Sequence, residues 1–243
     1  AKGSYGDKAL VAVWTPTLYV ITYELNGASV TNITEYTVES DNVALINPAK
    51  AGYTFLGWSG TDINGMSTNV VISSGSTGNR SYTANWEVIR YNISYELNGA
   101  SVTNIAEYTV ENEDITLINP VRAGYTFLGW SGTGINGMST NVVIPSGSIG
   151  NRSYTANWEI TNYQIVYEMN GGINNENNPT SYTMFDDTIV LDTPKTREGY
   201  DFIGWQLDGE AVTEITGGST GNKTIVAVWE AIYNVEGGTI AGL

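Results

Sequence analysis

The chain has 243 residues and a formal net charge of −15, from 25 acidic and 10 basic side chains. That balance argues against nucleic acid as a partner, because phosphate is bound by clustered Lys and Arg. With no Cys and no His, thiolate nucleophiles, disulfides, Ser-His triads and the usual zinc sites are excluded together.

The strongest internal signal is repetition. Gly52-Tyr53-Thr54-Phe55-Leu56-Gly57-Trp58 returns as Gly124 to Trp130 and, altered, as Gly199-Tyr200-Asp201-Phe202-Ile203-Gly204-Trp205, which makes the chain an array. The predicted units are 1–18, the last strand of a preceding repeat with its linker; 19–90, repeat one; 91–162, repeat two; 163–232, a divergent repeat three; and 233–243, the start of a following unit. About four in five positions of repeats one and two are identical. A unit of roughly 70 residues buries only about 60 to 65% of its unfolded surface and needs a dense aromatic core or a neighbour's help. The 7 Trp, 16 Tyr and 4 Phe, mostly at repeating positions, supply that core.

Residues 4–14 align without gaps to 219–229, so the chain is expected to begin inside one repeat and to be a piece of a longer array. Each repeat then opens on a strand. Tyr19, Ile21, Tyr23 and Leu25 alternate with Val20, Thr22 and Glu24, the period of a half-buried strand. Asn26-Gly27, Asn98-Gly99 and Asn170-Gly171 follow, the favoured pair for a type I′ turn, and predict an opening hairpin returning at Tyr36, Tyr108 or Tyr182. A short strand over Val43 to Ile46 is closed by Pro48, with counterparts closed by Pro120 and Pro194. Any helix is short, with Pro48 to Ala51 and Ile63 to Ser67 as the best candidates.

The Gly-Tyr-Thr-Phe-Leu-Gly-Trp strand carries Tyr53 and Phe55 on one face and Leu56 and Trp58 on the other, and bulk on both faces predicts a central strand. The Gly before the Trp predicts close approach of another backbone, or a ring lying over it. The closing strand, Tyr82, Ala84 and Trp86 with its counterparts, has one apolar face. Repeat three gains residues near 174–180 and before Gly199 and loses four between Trp205 and Trp229, which marks loops. Links of three or four residues without Gly or Pro, such as Glu87 to Arg90, predict restricted joints between successive units.

Together, Tyr91 to Gly99, then Pro120-Val121-Arg122-Ala123-Gly124-Tyr125-Thr126-Phe127-Leu128-Gly129-Trp130, then Tyr154-Thr155-Ala156-Asn157-Trp158 resemble the Listeria/Bacteroides repeat, also called the internalin B-type B repeat. The resemblance covers all three repeats. It implies a mainly β fold, α+β at most: tandem small β-grasp (ubiquitin-like) modules in an elongated array, on secreted or surface-attached bacterial proteins. Two departures stand out. Asn-Gly-Gly is kept only at Asn170-Gly171-Gly172, and Lys50 stands where Arg is usual. The family carries no catalytic residues to transfer.

The residues themselves offer little chemistry. Glu24, Glu96 and Glu168 recur, as do Glu87, Glu159 and Glu230, but they fall where solvated charges ordinarily lie, although a glycosidase needs just such paired carboxyls. Lys50 is matched by Arg122, and Lys8 and Lys223 by Arg80 and Arg152, so no Lys-Asn crosslink can be common to all units. Asp186, Asp187 and Asp192 invite calcium without a calcium-loop spacing. The Trp rings invite sugar stacking, but a small domain needs them inside. No catalytic, metal or cofactor-binding residue is assigned, and no cofactor is expected.

Repeat three is the most acidic, with eleven acidic against three basic residues, where repeat one has six against three. Two readings follow. One is a non-enzymatic cell-surface stalk or spacer with adhesive contacts to a host protein or surface glycan, weak per unit and multivalent. The other is a specific glycan, protein or cation module centred on repeat three. Either is expected outside the cell as a monomer with no membrane span in residues 1–243, its signal and anchor lying elsewhere.

Overall fold

The computed structural model describes residue 3 and residues 6–233, and every regular element among them is a strand. Repeat one holds β1 (Tyr19–Glu24), β2 (Glu35–Tyr36), β3 (Val43–Ala44), β4 (Tyr53–Gly60), β5 (Val71–Ile72) and β6 (Arg80–Val88). Repeat two holds β7 (Tyr91–Glu96), β8 (Glu107–Tyr108), β9 (Ile115–Thr116), β10 (Tyr125–Gly132), β11 (Val143–Ile144) and β12 (Arg152–Ile160). Repeat three holds β13 (Tyr163–Glu168), β14 (Ser181–Tyr182), β15 (Ile189–Val190), β16 (Tyr200–Leu207), β17 (Glu210–Val212), β18 (Glu214–Ile215) and β19 (Lys223–Ala231). Neither helix candidate forms; Ile63 N–H closes a turn at Thr61-Asp62 on the Gly60 carbonyl, and the chain reaches Ser67 without regular structure.

The described residues divide into two compact units: those up to 93 with 105–115 and 143–152, and 94–104 with 116–142 and those from 153 on. Repeat one lies wholly in the first and repeat three wholly in the second, while repeat two contributes to both.

In the first unit, repeat one builds a four-stranded sheet of order β2-β1-β6-β4. β1 runs parallel to β6, with Ile21 opposite Arg80 and Glu24 opposite Thr83, and antiparallel to β2. Asn79 Oδ1 fastens the entry by accepting the Val20 N–H at 2.9 Å. The alternation in β1 holds: Ile21 is buried while Val20, Thr22 and Glu24 face solvent. The core gathers Ile21, Tyr36, Leu45, Trp58, Val70, Ile72, Tyr82 and Ala84. β3 and β5 pair as a separate two-stranded ladder, and Tyr91 and Asn92 of β7 pair with Tyr108 and Glu107 of β8.

In the second unit, repeat three builds a five-stranded sheet of order β14-β13-β19-β16-β17, again with its first and last long strands parallel. Its core gathers Ile165, Tyr182, Leu191, Trp205, Ile215, Ile225 and Ala227. The four-residue deletion after Trp205 yields a hairpin rather than a shorter loop. Leu207 and Glu210 flank Asp208 (φ 52°) and Gly209 (φ 85°), so positive φ at both turn residues lets β17 fold straight back on β16. β10 and β12 of repeat two also pair here.

Three expectations need correction. First, the Gly-Trp strand is not central in repeat one: β6 is flanked on both sides and β4 is the edge. The apparent bulk on both faces comes from a β-bulge, and in repeat three, where β17 is added, the same strand is flanked on both sides. Phe55 pairs with Trp86 and Gly57 with Asn85, leaving Leu56 without a partner. The extra residue turns Trp58 onto the Phe55 face, where the rings meet edge to face at 5.6 Å, and turns Leu56 outward. β10 carries the same bulge, and β16 carries it between Phe202 and Gly204.

Second, the opening hairpin forms with β2 as its return strand, but the Asn-Gly turn is only the start of its loop. Asn26 (φ 51°) and Gly27 (φ 85°) have the I′ signs and Ala28 N–H reaches the Leu25 carbonyl at 3.2 Å. The chain then leaves to bridge Ala49 through Ser29 and returns to β1 only at Tyr36 opposite Tyr19. Third, residues 7–18 form no strand, and Leu10, Val11, Val13 and Trp14 are exposed, Trp14 at 88%. Their counterparts in β6, β12 and β19 are held between an opening strand and a Gly-Trp strand, and among the described residues neither pairs with 7–18. The unit predicted for 233–243 lies outside the described residues, apart from Tyr233.

Candidate functional site

The motif (Arg/Lys)-x-Gly-Tyr builds the same small device in every repeat. In repeat one Lys50 Nζ lies 3.8 Å over the centre of the Tyr53 ring and donates to the Asn26 carbonyl at 3.0 Å. Arg122 sits 3.7 Å over Tyr125, and Arg197 3.6 Å over Tyr200. Both guanidinium groups also lie against the Gly of the Asn-Gly turn, Gly99 and Gly171. A cation thus pins the opening turn to the start of the Gly-Tyr strand, through a cation–π contact on one side and the turn backbone on the other. Lys50 keeps both contacts, so its departure from Arg preserves the device; its amine is committed there.

Beside that device lies a contact between repeats. Gly52 is buried at φ 77°, and a Cβ on it would stand 2.1 Å from Cγ1 of Val110. Next to it the Tyr53 hydroxyl donates to Glu111 Oε1 at 2.8 Å, and that hydrogen bond to a carboxylate raises the Tyr53 pKa above its ordinary value. Both sides of this contact belong to the first unit. The second unit repeats it. A Cβ on Gly124 would stand 1.8 Å from Sδ of Met184, and Tyr125 meets Phe185 edge on at 5.4 Å. The Gly carbonyls hold the following link as well: Ile89 N–H reaches Gly52 and Thr161 N–H reaches Gly124, each at 2.9 Å. The sequence reading placed Tyr53 in its own core and missed this joint. Its only trace in the chain is a Gly at the strand entry of every repeat.

Glu24, Glu87, Glu96, Glu159, Glu168 and Glu230 are all exposed. Glu24 and Glu96 each accept the N–H of the turn Asn two residues on, at 3.3 Å. Asp186 Oδ2 accepts the Thr183 N–H at 2.7 Å and Asp192 Oδ2 accepts from Asn177 Nδ2 at 3.2 Å. Among the described residues no three Asp or Glu side chains converge as metal ligands do.

Apart from the exposed Trp14, the Trp residues are structural. Trp58 and Trp130 are 0% exposed, and each donates its indole N–H at 3.1 Å, to Asn47 and Asn119. Trp86, Trp158 and Trp229 are half-buried and donate to the Leu25, Leu97 and Met169 carbonyls. Three asparagines unremarked in the sequence, Asn79, Asn151 and Asn222, each accept the N–H of the second opening-strand residue at 2.9 Å.

Two clefts remain. One of about 400 Å³ in repeat one runs past Thr61, Asp62, Asn64, Ser73 and Arg80. The Arg80 guanidinium is nearly buried, and its bonds to the Tyr36 hydroxyl and to Asp62 outweigh the effect of burial and raise its pKa. The other, of about 480 Å³, lies in the second unit beside Arg122, Leu128, Met138 and Trp158.

Comparison with known proteins agrees with this repetition. The Listeria-Bacteroides repeat domain matches residues 19–84, 91–146 and 163–228. Two proteins of Evansella cellulosilytica are similar at 28% identity: a "Putative membrane protein" over 82% of this chain and 30% of its own length, and a "Putative Gly-rich membrane protein" over 96% of this chain and 27% of its own. The chain spans less than a third of either relative. No helix among its described residues is long and apolar enough to cross a membrane. With three tandem matches over most of its length, the chain belongs to the Listeria-Bacteroides repeat family, a repeat family of bacterial surface-type proteins.

Proposed function

We propose that residues 19–232 act as a non-enzymatic spacer in a bacterial cell-surface protein: β-grasp-like modules in series that hold another part of that protein away from the cell and add weak, repeated adhesive contacts. The observation that carries this is the joint. The same buried Gly, the same Tyr and the same link-to-carbonyl hydrogen bond recur at Gly52 and Gly124, which is what a device for setting one repeat against the next requires. The β-grasp part rests on the mixed sheet with its first and last strands parallel at the centre. The surface location rests on the family and on the names of the relatives. The spacer reading suits near-identical neighbours, since a spacer needs length more than individuality.

Small-angle X-ray scattering on the dilute chain tests it. A 70-residue unit has a radius of gyration near 11 Å, so three in line reach roughly 90 Å. A long, narrow distance distribution is expected, and a compact one overturns the spacer. Comparing glycan or host-protein binding by residues 19–162 and 163–232 separates adhesion spread over the repeats from a dedicated site on repeat three: equal binding fits the first and binding by 163–232 alone the second.

A further inference from the structure

We propose that Asn64-Gly65 and Asn136-Gly137 are sites of spontaneous covalent modification, closing to a succinimide and opening to aspartate or isoaspartate, and that the fold withholds the same reaction from the other Asn-Gly pairs of the chain. This neither rests on the spacer reading nor follows from it.

The chemistry belongs to the dipeptide. The backbone nitrogen of the Gly loses its proton and attacks Cγ of the preceding Asn; the new N–Cγ bond closes an imide ring, and the side-chain nitrogen leaves as ammonia. Water then adds to either imide carbonyl and opens the ring. The product is an ordinary Asp peptide or an isoaspartyl one, whose main chain runs through the side-chain carbon. Nothing is oxidised or reduced, and water is the only co-reactant. Gly is the most permissive successor because it has no Cβ to obstruct the attack. What sets the rate is whether Cγ can swing over the next N–H.

The structure sorts the pairs. Asn26-Gly27, Asn98-Gly99 and Asn170-Gly171 are the opening turns, with positive φ at both residues of each. Ala28, Ala100 and Gly172 close these turns on the Leu25, Leu97 and Met169 carbonyls. The leaving nitrogen is tied down as well: Asn26 Nδ2 donates to the Ala84 carbonyl at 3.0 Å, and Asn98 and Asn170 donate to Ala156 and Ala227 at 2.9 Å. Attack there requires the turn and its bond to the closing strand to break together.

Asn64-Gly65 and Asn136-Gly137 carry no such restraint. In both copies the Asn, the Gly and the following Met are exposed, and among the described residues no hydrogen bond engages either carboxamide or either Gly N–H. A Cβ on Gly65 or Gly137 would meet nothing within 4 Å, so the ring has room to form. Repeat three has no Asn-Gly between Trp205 and Trp229, where β17 takes the place of this loop. The product matters to the sheet. Ser67 bonds Trp58 through its N–H at 2.9 Å and its carbonyl at 2.8 Å, and Ser139 holds Trp130 in the same way. An isoaspartyl link puts an extra carbon into the main chain just ahead of that bridge, and either product adds a negative charge to a chain already at −15. Repeats one and two therefore age beside their Gly-Trp strands, and repeat three does not.

Trypsin cuts after Lys and Arg, which places each Asn-Gly pair on its own peptide: 9–50, 51–80, 91–122, 123–152 and 153–195. The chain is held for several weeks near neutral to mildly alkaline pH, once folded and once in guanidinium chloride, and both samples are digested and weighed. In denaturant all of these peptides should gain about 1 Da at similar rates. In the folded chain 51–80 and 123–152 are expected to gain it at least about tenfold faster than the others. Fragmentation places the gain at 64 and 136, enzymatic methylation detects the isoaspartate, and Asn64→Gln, which demands a larger ring, removes the gain from 51–80. Circular dichroism checks that this variant stays folded. Smaller selectivity, loops that stay unmodified while the denatured chain reacts, or a gain in 51–80 that survives Asn64→Gln would overturn the proposal.

Discussion

Gly57 and Gly204 stand at the same place in the bulge yet carry different burdens. A Cβ on Gly57, at φ 133°, would lie 2.9 Å from the backbone of Ser67, whose N–H and carbonyl both bond Trp58. Asn85 fills the rest of that bulge, donating to Gly57, Ser59 and Thr83. In repeat three Val228 replaces the Asn and β17 replaces the Ser67 bridge, and a Cβ on Gly204 meets nothing within 4 Å. Gly57→Ala is therefore expected to destabilise by about 2 to 4 kcal/mol, through backbone strain and a displaced Ser67, and Gly204→Ala by about 1 kcal/mol or less. Urea unfolding followed by Trp fluorescence measures both. The need for a glycine here was legible in the sequence. Which backbone approaches it was not, because Ser67 arrives from a loop that has no periodicity to read.

The opening strands carry part of the alkaline pH dependence of the fold. Tyr23 in β1, Tyr95 in β7 and Tyr167 in β13 are each pushed up to about 12, by burial first and, for Tyr23 and Tyr95, by the neighbouring Tyr82 and Tyr154. In the unfolded chain the same phenols ionise near their ordinary value of about 10. Above that pH the unfolded state binds fewer protons than the folded one, so stability present below about pH 10 falls steadily toward pH 12. Replacing all three with Phe should flatten the fall, as read by denaturant midpoints between pH 9 and about 12. The one-faced alternation of these strands was visible in the sequence because they follow a strict period of two. The Gly-Trp strand misled for the opposite reason: its bulge breaks the period at Leu56, so a residue count put Trp58 on the wrong face and the strand at the centre of the sheet. Asp208-Gly209 carried a hairpin signal as strong as any Asn-Gly in the chain, and the shortened segment around it was read only as a loop.

At the larger scale, each joint sets one repeat against the next within a single compact unit. Met184 is half-buried against Gly124, and the exposed Phe185 meets Tyr125 edge on, with Arg122 over the same Tyr ring. Met184→Asp should uncouple repeat three from its neighbour, so that calorimetry shows a separate transition for it while its own core, centred on Trp205 and Ile225, stays intact; one unchanged transition would show that the joint carries no coupling. The sequence foretold restricted links from their length and lack of Gly or Pro. It did not reveal the joint itself, because one half is a glycine and the other half varies, Val110-Glu111 in one case and Met184-Phe185 in the next.

That variation has an evolutionary consequence. Every repeat carries both halves of the joint, its own turn ahead of its own Gly-Tyr, so a copied repeat matches its parent at either end. Duplication or loss of one 72-residue unit by unequal recombination then leaves all surviving contacts matched, and the number of units becomes a trait that can change in one genetic step without passing through a misfolded intermediate. Repeats one and two, alike at about four positions in five, are what a recent step of that kind leaves behind.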